Sequence, residues 1–166
     1  GATGSAAPEE WESATLTAVQ RAAVQRALAG HSLFITGSAG TGKSMLLHHT
    51  IHALRQKHGA DAVHVAASTG IAACHIGGTT LHHWAGVGLG DAAVPTLLAQ
   101  LRRNAEAVAR WRAARVLVLD EVSMVSGALL DKLDAIGQRL RDCRRPFGGL
   151  QLIFCGDFLQ LPPITR

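Results

Sequence analysis

The chain has few cysteines, and they form no pattern. Cys74, Cys143 and Cys155 are odd in number and show no C-x-x-C spacing. That argues against a disulfide framework and fits a reducing compartment. Charge is sparse too, at 17% of residues, while 48% are hydrophobic. Such a chain folds around a core rather than staying disordered. No apolar run is long enough to span a bilayer, so no membrane partner is expected. The first residues, GATGSAAPEEWES, lack a basic start and an apolar core, so they do not read as a secretory signal. They do not begin with Met either, so a fragment or a processed form is expected.

What is present is length enough for one domain: 166 residues, with a net charge of +4 and a pI near 9.5. The charge permits an anionic partner without requiring one. Residues 1–14 read as a flexible N-terminal segment and 15–166 as the domain.

Helix and strand patterns alternate along the chain. Thr17 can cap a helix that Gly30 stops. SLFIT, Ser32 to Thr36, reads as a short strand. A second helix follows Lys43, with Leu47, Ile51 and Leu54 at helical spacing. AVHVAAS, Ala62 to Ser68, is the next strand, and Gly70 to Gly90 reads as a Gly-rich loop. Pro95 opens a helix with Leu97, Leu98, Leu101, Ala105 and Val108 on one face. VLVLDE is an apolar strand ending in two acids. Ser126 can cap a helix through Leu140, and LQLIFC closes the series. Apolar strands separated by helices predict an α/β fold with a mostly parallel sheet covered on both faces.

The strongest chemical signal is GSAGTGKS, Gly37 to Ser44, between a strand and a helix. It satisfies the phosphate-binding pattern G-x-x-x-x-G-K-S. Its glycines let the backbone curl, so that N–H groups along Gly37, Ser38, Ala39, Gly40, Thr41 and Gly42 point inward at phosphate oxygens. Lys43 reaches the outer phosphates and Ser44 can ligate Mg²⁺. Asp120 ends an apolar strand, where it can help hold that metal. Glu121 follows and can orient or deprotonate an attacking water. The guanine signature N-K-x-D is absent. Gln160, in GDFLQLPP, can orient a water or sense a terminal phosphate without adding charge. Gly37, Asp120 and Gln160 all lie at or just past strand ends, where parallel sheets collect ligands.

In order, GSAGTGKS, AASTGIAA, GGTTLHHWAGVGLG, LDEVSMVSGALLDKLDAIG and RPFGGLQLIFCGDFLQLPP resemble the petite-integration-frequency (PIF-type) DNA helicases of helicase superfamily one. The resemblance runs from about Leu16 to Pro163. It implies the first RecA-like domain of a P-loop NTPase, a three-layer sandwich. It further implies ATP and Mg²⁺ as cofactors and 5′-to-3′ unwinding of DNA in repair, recombination and telomere maintenance. The implied partners are single-stranded and forked DNA and a second RecA-like domain. A monomer is expected, located in the nucleus or mitochondrion if the source is eukaryotic.

By position, the resemblance makes Gln20 the adenine reader, Asp120 the metal-side acid, Glu121 the base and Gln160 the γ-phosphate sensor. It places Ser68, Thr69 and Gly70 on single-stranded DNA, with short hydroxyls and N–H groups suited to phosphate contact. The family commonly has His-Ser-Phe where this chain has His82, His83 and Trp84. His82 and Trp84 are therefore placed at the DNA, with the Trp84 ring available to stack on a base. No second motor domain follows within these residues, so the arginine fingers of the family are not expected here.

Rival readings are a RecD-type helicase domain, a nucleic-acid or partner-binding module without turnover, and an ATPase with no nucleic acid partner. GDFLQLPP and PFGG favour the first reading over the RecD type. His48 and His52 are four apart on one predicted helix, but His49 stands where H-E-x-x-H needs glutamate, so a solvated face is expected. The same is expected of the two arginine-rich stretches, one including Arg110 and the other Arg141. Asp157 is read as shaping a turn, and Cys155 as a small buried residue.

Overall fold

The computed structural model describes residues 15–38, 40 and 42–157. Ala39, Thr41, Gln160 and residues 1–14 lie outside the described residues. Among the described residues five strands form one parallel sheet: β1 (Leu33–Thr36), β2 (Val63–Ala67), β3 (Thr79–Thr80), β4 (Val116–Asp120) and β5 (Gln151–Gly156). Their order is β1-β5-β4-β2-β3. Among the described residues seven α-helices accompany them, the first before β1: α1 (Ala18–Leu28), α2 (Lys43–His58), α3 (Gly70–Ile76), α4 (Leu81–Ala85), α5 (Val94–Leu101), α6 (Ala105–Ala113) and α7 (Gly127–Leu140).

Strand β4 explains the layering. Successive side chains of a strand point to opposite faces. Val116 and Val118 join a core with Leu47, Ile51 and Leu54 of α2 and Ala72 and Ala73 of α3. Leu117 and Leu119 join a second core with Trp84, Leu101, Trp111, Leu133 and Ile136 from α4, α5, α6 and α7. Both faces are covered, so the strand has no polar alternation. The result is the three-layer α/β sandwich of the RecA-like class. No helix among the described residues is long and apolar enough to cross a membrane.

Two local expectations change. The segment Gly70 to Gly90 is not a loop but holds α3, β3 and α4. Thr69 and Thr80 cap the two helices, accepting from the Ala72 and His83 N–H groups at 3.2 and 3.3 Å. Gly77 and Gly86 end them in the left-handed conformation. The single helix expected after Pro95 is two helices, because Asn104 caps α6 by accepting from the Ala107 N–H at 3.1 Å. A side-chain cap offers the backbone a competing partner and starts a new helix.

PFGG is structural. Phe147 and Gly148 adopt left-handed backbone, and the Phe147 N–H donates to Asp134 of α7 at 2.7 Å. A Cβ on Gly148 would lie 2.3 Å from the Gly137 carbonyl oxygen, and one on Gly137 would lie 2.9 Å from the Phe147 carbonyl. The two glycines let this turn lie directly on helix α7.

The arginine stretches are partly internal. Arg141 Nη1 donates to the Trp111 and Ala114 carbonyls, both at 2.6 Å. Arg110 Nε donates to the Trp84 carbonyl at 3.1 Å. These two tie helix and loop ends together and are not the solvated face expected from sequence.

Candidate functional site

Strand order assembles the site. Register pairs Thr36 with Gly156 and Ala67 with Asp120, so the carboxyl ends of four strands share one level. A cleft of about 480 Å³ opens there, lined by Gly42, Lys43, Ser44, Asp120, Glu121 and Asp157 among others. The phosphate loop, the two-acid turn and the end of β5 come from three distant parts of the chain.

Helix α2 starts at Lys43 with Gly42 before it in the left-handed conformation, φ 81°. Lys43 Nζ donates to the Gly37 carbonyl, and Asp157 Oδ2 lies 3.9 Å from it. Asp157 is 8% exposed. At an effective dielectric of 20 the attraction over that distance is about 4 kcal/mol before desolvation. Desolvation of both ions offsets much of it. Asp157 is thus more than a turn residue: it stands in the cleft beside Lys43.

Gln20 belongs to α1, whose Thr17 forms a capping box. Thr17 Oγ1 accepts from the Gln20 N–H at 3.2 Å, and Gln20 Oε1 accepts from the Thr17 N–H at 2.8 Å. The amide nitrogen of Gln20 would lie 3.1 Å from a Cβ placed on Gly42. The cap therefore sets this side chain against the phosphate loop. One lone pair of Oε1 is used; the other and the amide hydrogens remain for a ligand edge.

At the end of β4 the chain turns sharply. Glu121 sits in the left-handed region, φ 51°, and its N–H donates to Asp120 Oδ1 at 2.8 Å. Holding a non-glycine residue there costs about 1–2 kcal/mol. Such conformations cluster where a site needs them. Both carboxylates line the cleft. Behind them, Cys155 is buried, and burial pushes its thiol up to about 12, helped by the charge of Asp120 and a hydrogen bond to it. The thiol remains protonated at the floor of the site.

Among the described residues no three His, Cys, Asp or Glu side chains converge as a metal centre. Ser44 and Asp120 do share the cleft, and both offer hard oxygen. That set suits Mg²⁺, which takes few protein ligands and keeps phosphates and water for the rest.

The segment expected on DNA is split. Ser68 to Gly70 follow β2 directly, and Thr69 and Gly70 are exposed. His82 is half-buried and His83 exposed. Trp84 is not at the surface: it is 2% exposed, its ring 4.6 Å from that of Trp111. The stacking role expected of it is corrected by this burial, because a ring packed on Trp111 has no face for a base. Gln160 lies outside the described residues, as do Ala39 and Thr41 of the phosphate loop. Sequence reasoning missed Asp157 as a site residue, although its place one residue after an apolar strand was a usable signal.

The model of the PIF1-like helicase family matches residues 12–166. The ATP-dependent DNA helicase PIF1 of Candida albicans is 54% identical over 147 residues, 89% of this chain and 16% of that protein. The crystal structure of Pif1 helicase from Candida albicans superposes with a TM-score of 0.89 at 53% identity, covering 92% of this chain and 34% of that one. Pif1 helicase from Bacteroides, solved in complex with ADP-AlF3 and ssDNA, gives 0.70 at 30% identity, with 92% and 34% covered. The chain thus spans less than a fifth of the Candida albicans protein's length. With the family model covering nearly all of these residues, the chain belongs to the PIF1-like helicases.

Proposed function

We propose that residues 15–166 are the nucleotide-binding RecA-like domain of an ATP-driven 5′-to-3′ DNA helicase, working with a second such domain. One observation carries this reading: Lys43, Ser44, Asp120 and Glu121 share a single cleft at the carboxyl ends of parallel strands. The Bacteroides relative holds ADP-AlF3 and ssDNA together, which supports both ligand classes.

Bound Mg-ATP would supply the transferable phosphoryl group and the metal charge that draws its oxygens together. Ser44 and Asp120 would hold the metal. Lys43 meets the outer phosphates with its ammonium. Glu121 orients the attacking water and accepts its proton. Gln20 offers the adenine edge a donor and an acceptor. Gln160 is assigned the terminal phosphate from its sequence position alone. Ser68, Thr69, Gly70 and His82 form the proposed DNA track, on which phosphate contacts hold the strand without reading sequence.

ATP hydrolysis by this chain, measured with and without single-stranded DNA, tests the proposal. Hydrolysis stimulated by DNA supports it. Nucleotide binding with no effect of DNA points to an ATPase without a nucleic acid partner. DNA binding without nucleotide binding points to a module that has lost turnover.

A further inference from the structure

The cleft contains a third carboxylate to which the family motifs assign no part above. Strand β5 lies between β1 and β4, so the residue after it emerges between the phosphate loop and the two-acid turn. That residue is Asp157. Its surroundings are tight: a Cβ on Gly156 would lie 3.0 Å from Val122 Cγ1 and 3.2 Å from the Ser123 nitrogen. The end of β5 therefore packs on the turn after Glu121, and Asp157 has little room to move as backbone. Its carboxylate is 8% exposed and faces the ammonium of Lys43 at 3.9 Å. A carboxylate so buried needs a cation or several donors. Lys43 also donates to the Gly37 carbonyl, so its ammonium is held between the loop and Asp157.

We propose that Asp157 is a positioning residue for Lys43, a counter-ion from which bound polyphosphate must draw the ammonium away. The inference rests on the nucleotide reading above. Two consequences separate it from a merely structural role. Asp157 repels a polyphosphate directly, and it competes for the one lysine that the phosphates use. Removing its charge without changing its shape should therefore tighten nucleotide binding. Loss of a structural carboxylate would loosen it instead.

The test is ADP binding by this chain, by titration calorimetry, for wild type, Asp157→Asn and Asp157→Ser. Tightening of about threefold to tenfold is expected in both variants, the scale of one partly screened charge contact. Unchanged or weaker ADP binding in a variant that melts like wild type overturns the proposal. So does failure of both neutral variants to fold, which would make Asp157 a structural residue. A wild-type chain that binds no ADP overturns the nucleotide reading and this proposal with it.

Discussion

Ser68 donates its backbone N–H to the carbonyl oxygen of Asp120 at 3.3 Å. One hydrogen bond thus joins the start of the proposed DNA track to the proposed metal-side acid. A shift of either strand end is felt by the other. The expected outcome is mutual coupling: single-stranded DNA should change ADP affinity by about fivefold or more, and ADP should change DNA affinity by the same factor. Calorimetry for one ligand with the other saturating checks both directions. Equal affinities in the two conditions would show that the link transmits nothing.

Lys43→Ala and Glu121→Gln should fail in different ways. The first removes the ammonium proposed to meet the outer phosphates, so loss of ADP and ATP binding is expected. The second keeps the size of the side chain but takes away its capacity to accept a proton. It should bind ATP as wild type does and hydrolyse it about 10²- to 10⁴-fold more slowly. Binding and steady-state hydrolysis, measured on the same preparations, separate the two. Retained ATP affinity in Lys43→Ala would remove the phosphate assignment.

Trp84 should act through the core. Trp84→Ala removes a buried ring that packs on Trp111, and a loss of about 3–5 kcal/mol is expected in denaturant unfolding. Trp84→Phe keeps an aromatic there and should lose less. Its affinity for single-stranded DNA should match wild type in fluorescence anisotropy, since the ring is not at the surface. Weakened DNA binding in a stable Trp84→Phe would restore the base-stacking role.

His64 makes stability depend on pH. The ring is half-buried, 5.8 Å from Trp84, and its Nε2 is buried without a hydrogen-bond partner. Burial lowers its pKa below 6.5, and nearby Arg110 and Arg55 add to this, while a backbone hydrogen bond and the charge of Asp61 oppose it. The unfolded chain therefore binds a proton that the folded chain refuses. Its contribution is present above about pH 6.5 and is lost as pH falls toward the folded value. Tm should drop between pH 7.5 and 5.5, and drop less in His64→Phe. Identical slopes would take His64 out of this role.

The sandwich was legible because β4 is apolar at every position from Val116 to Leu119, which only a strand covered on both faces requires. The phosphate loop and the two acids were legible because each is a local pattern whose chemistry needs those neighbours in sequence. Asp157 was not, since only the order β1-β5-β4 brings it to Lys43. Trp84 was ambiguous for a physical reason: an indole suits a base and a second indole equally well, and only tertiary packing chose Trp111. Gly70 to Gly90 reads as a loop in sequence because glycine is a loop former. Gly77 and Gly86 instead end helices that Thr69 and Thr80 begin.

The glycine pair Gly137 and Gly148 bears on how inherited changes here are interpreted. PFGG marks the family more specifically than the phosphate loop does, yet its backbone rests on a helix. An alanine at Gly148 would force apart two carbonyl-bearing segments. Cells carrying it would hold less of the protein, and each surviving molecule would work normally. A phenotype screen alone would group that allele with loss of Lys43. Protein abundance measured beside the phenotype would part them, and growth at lower temperature would rescue only the first.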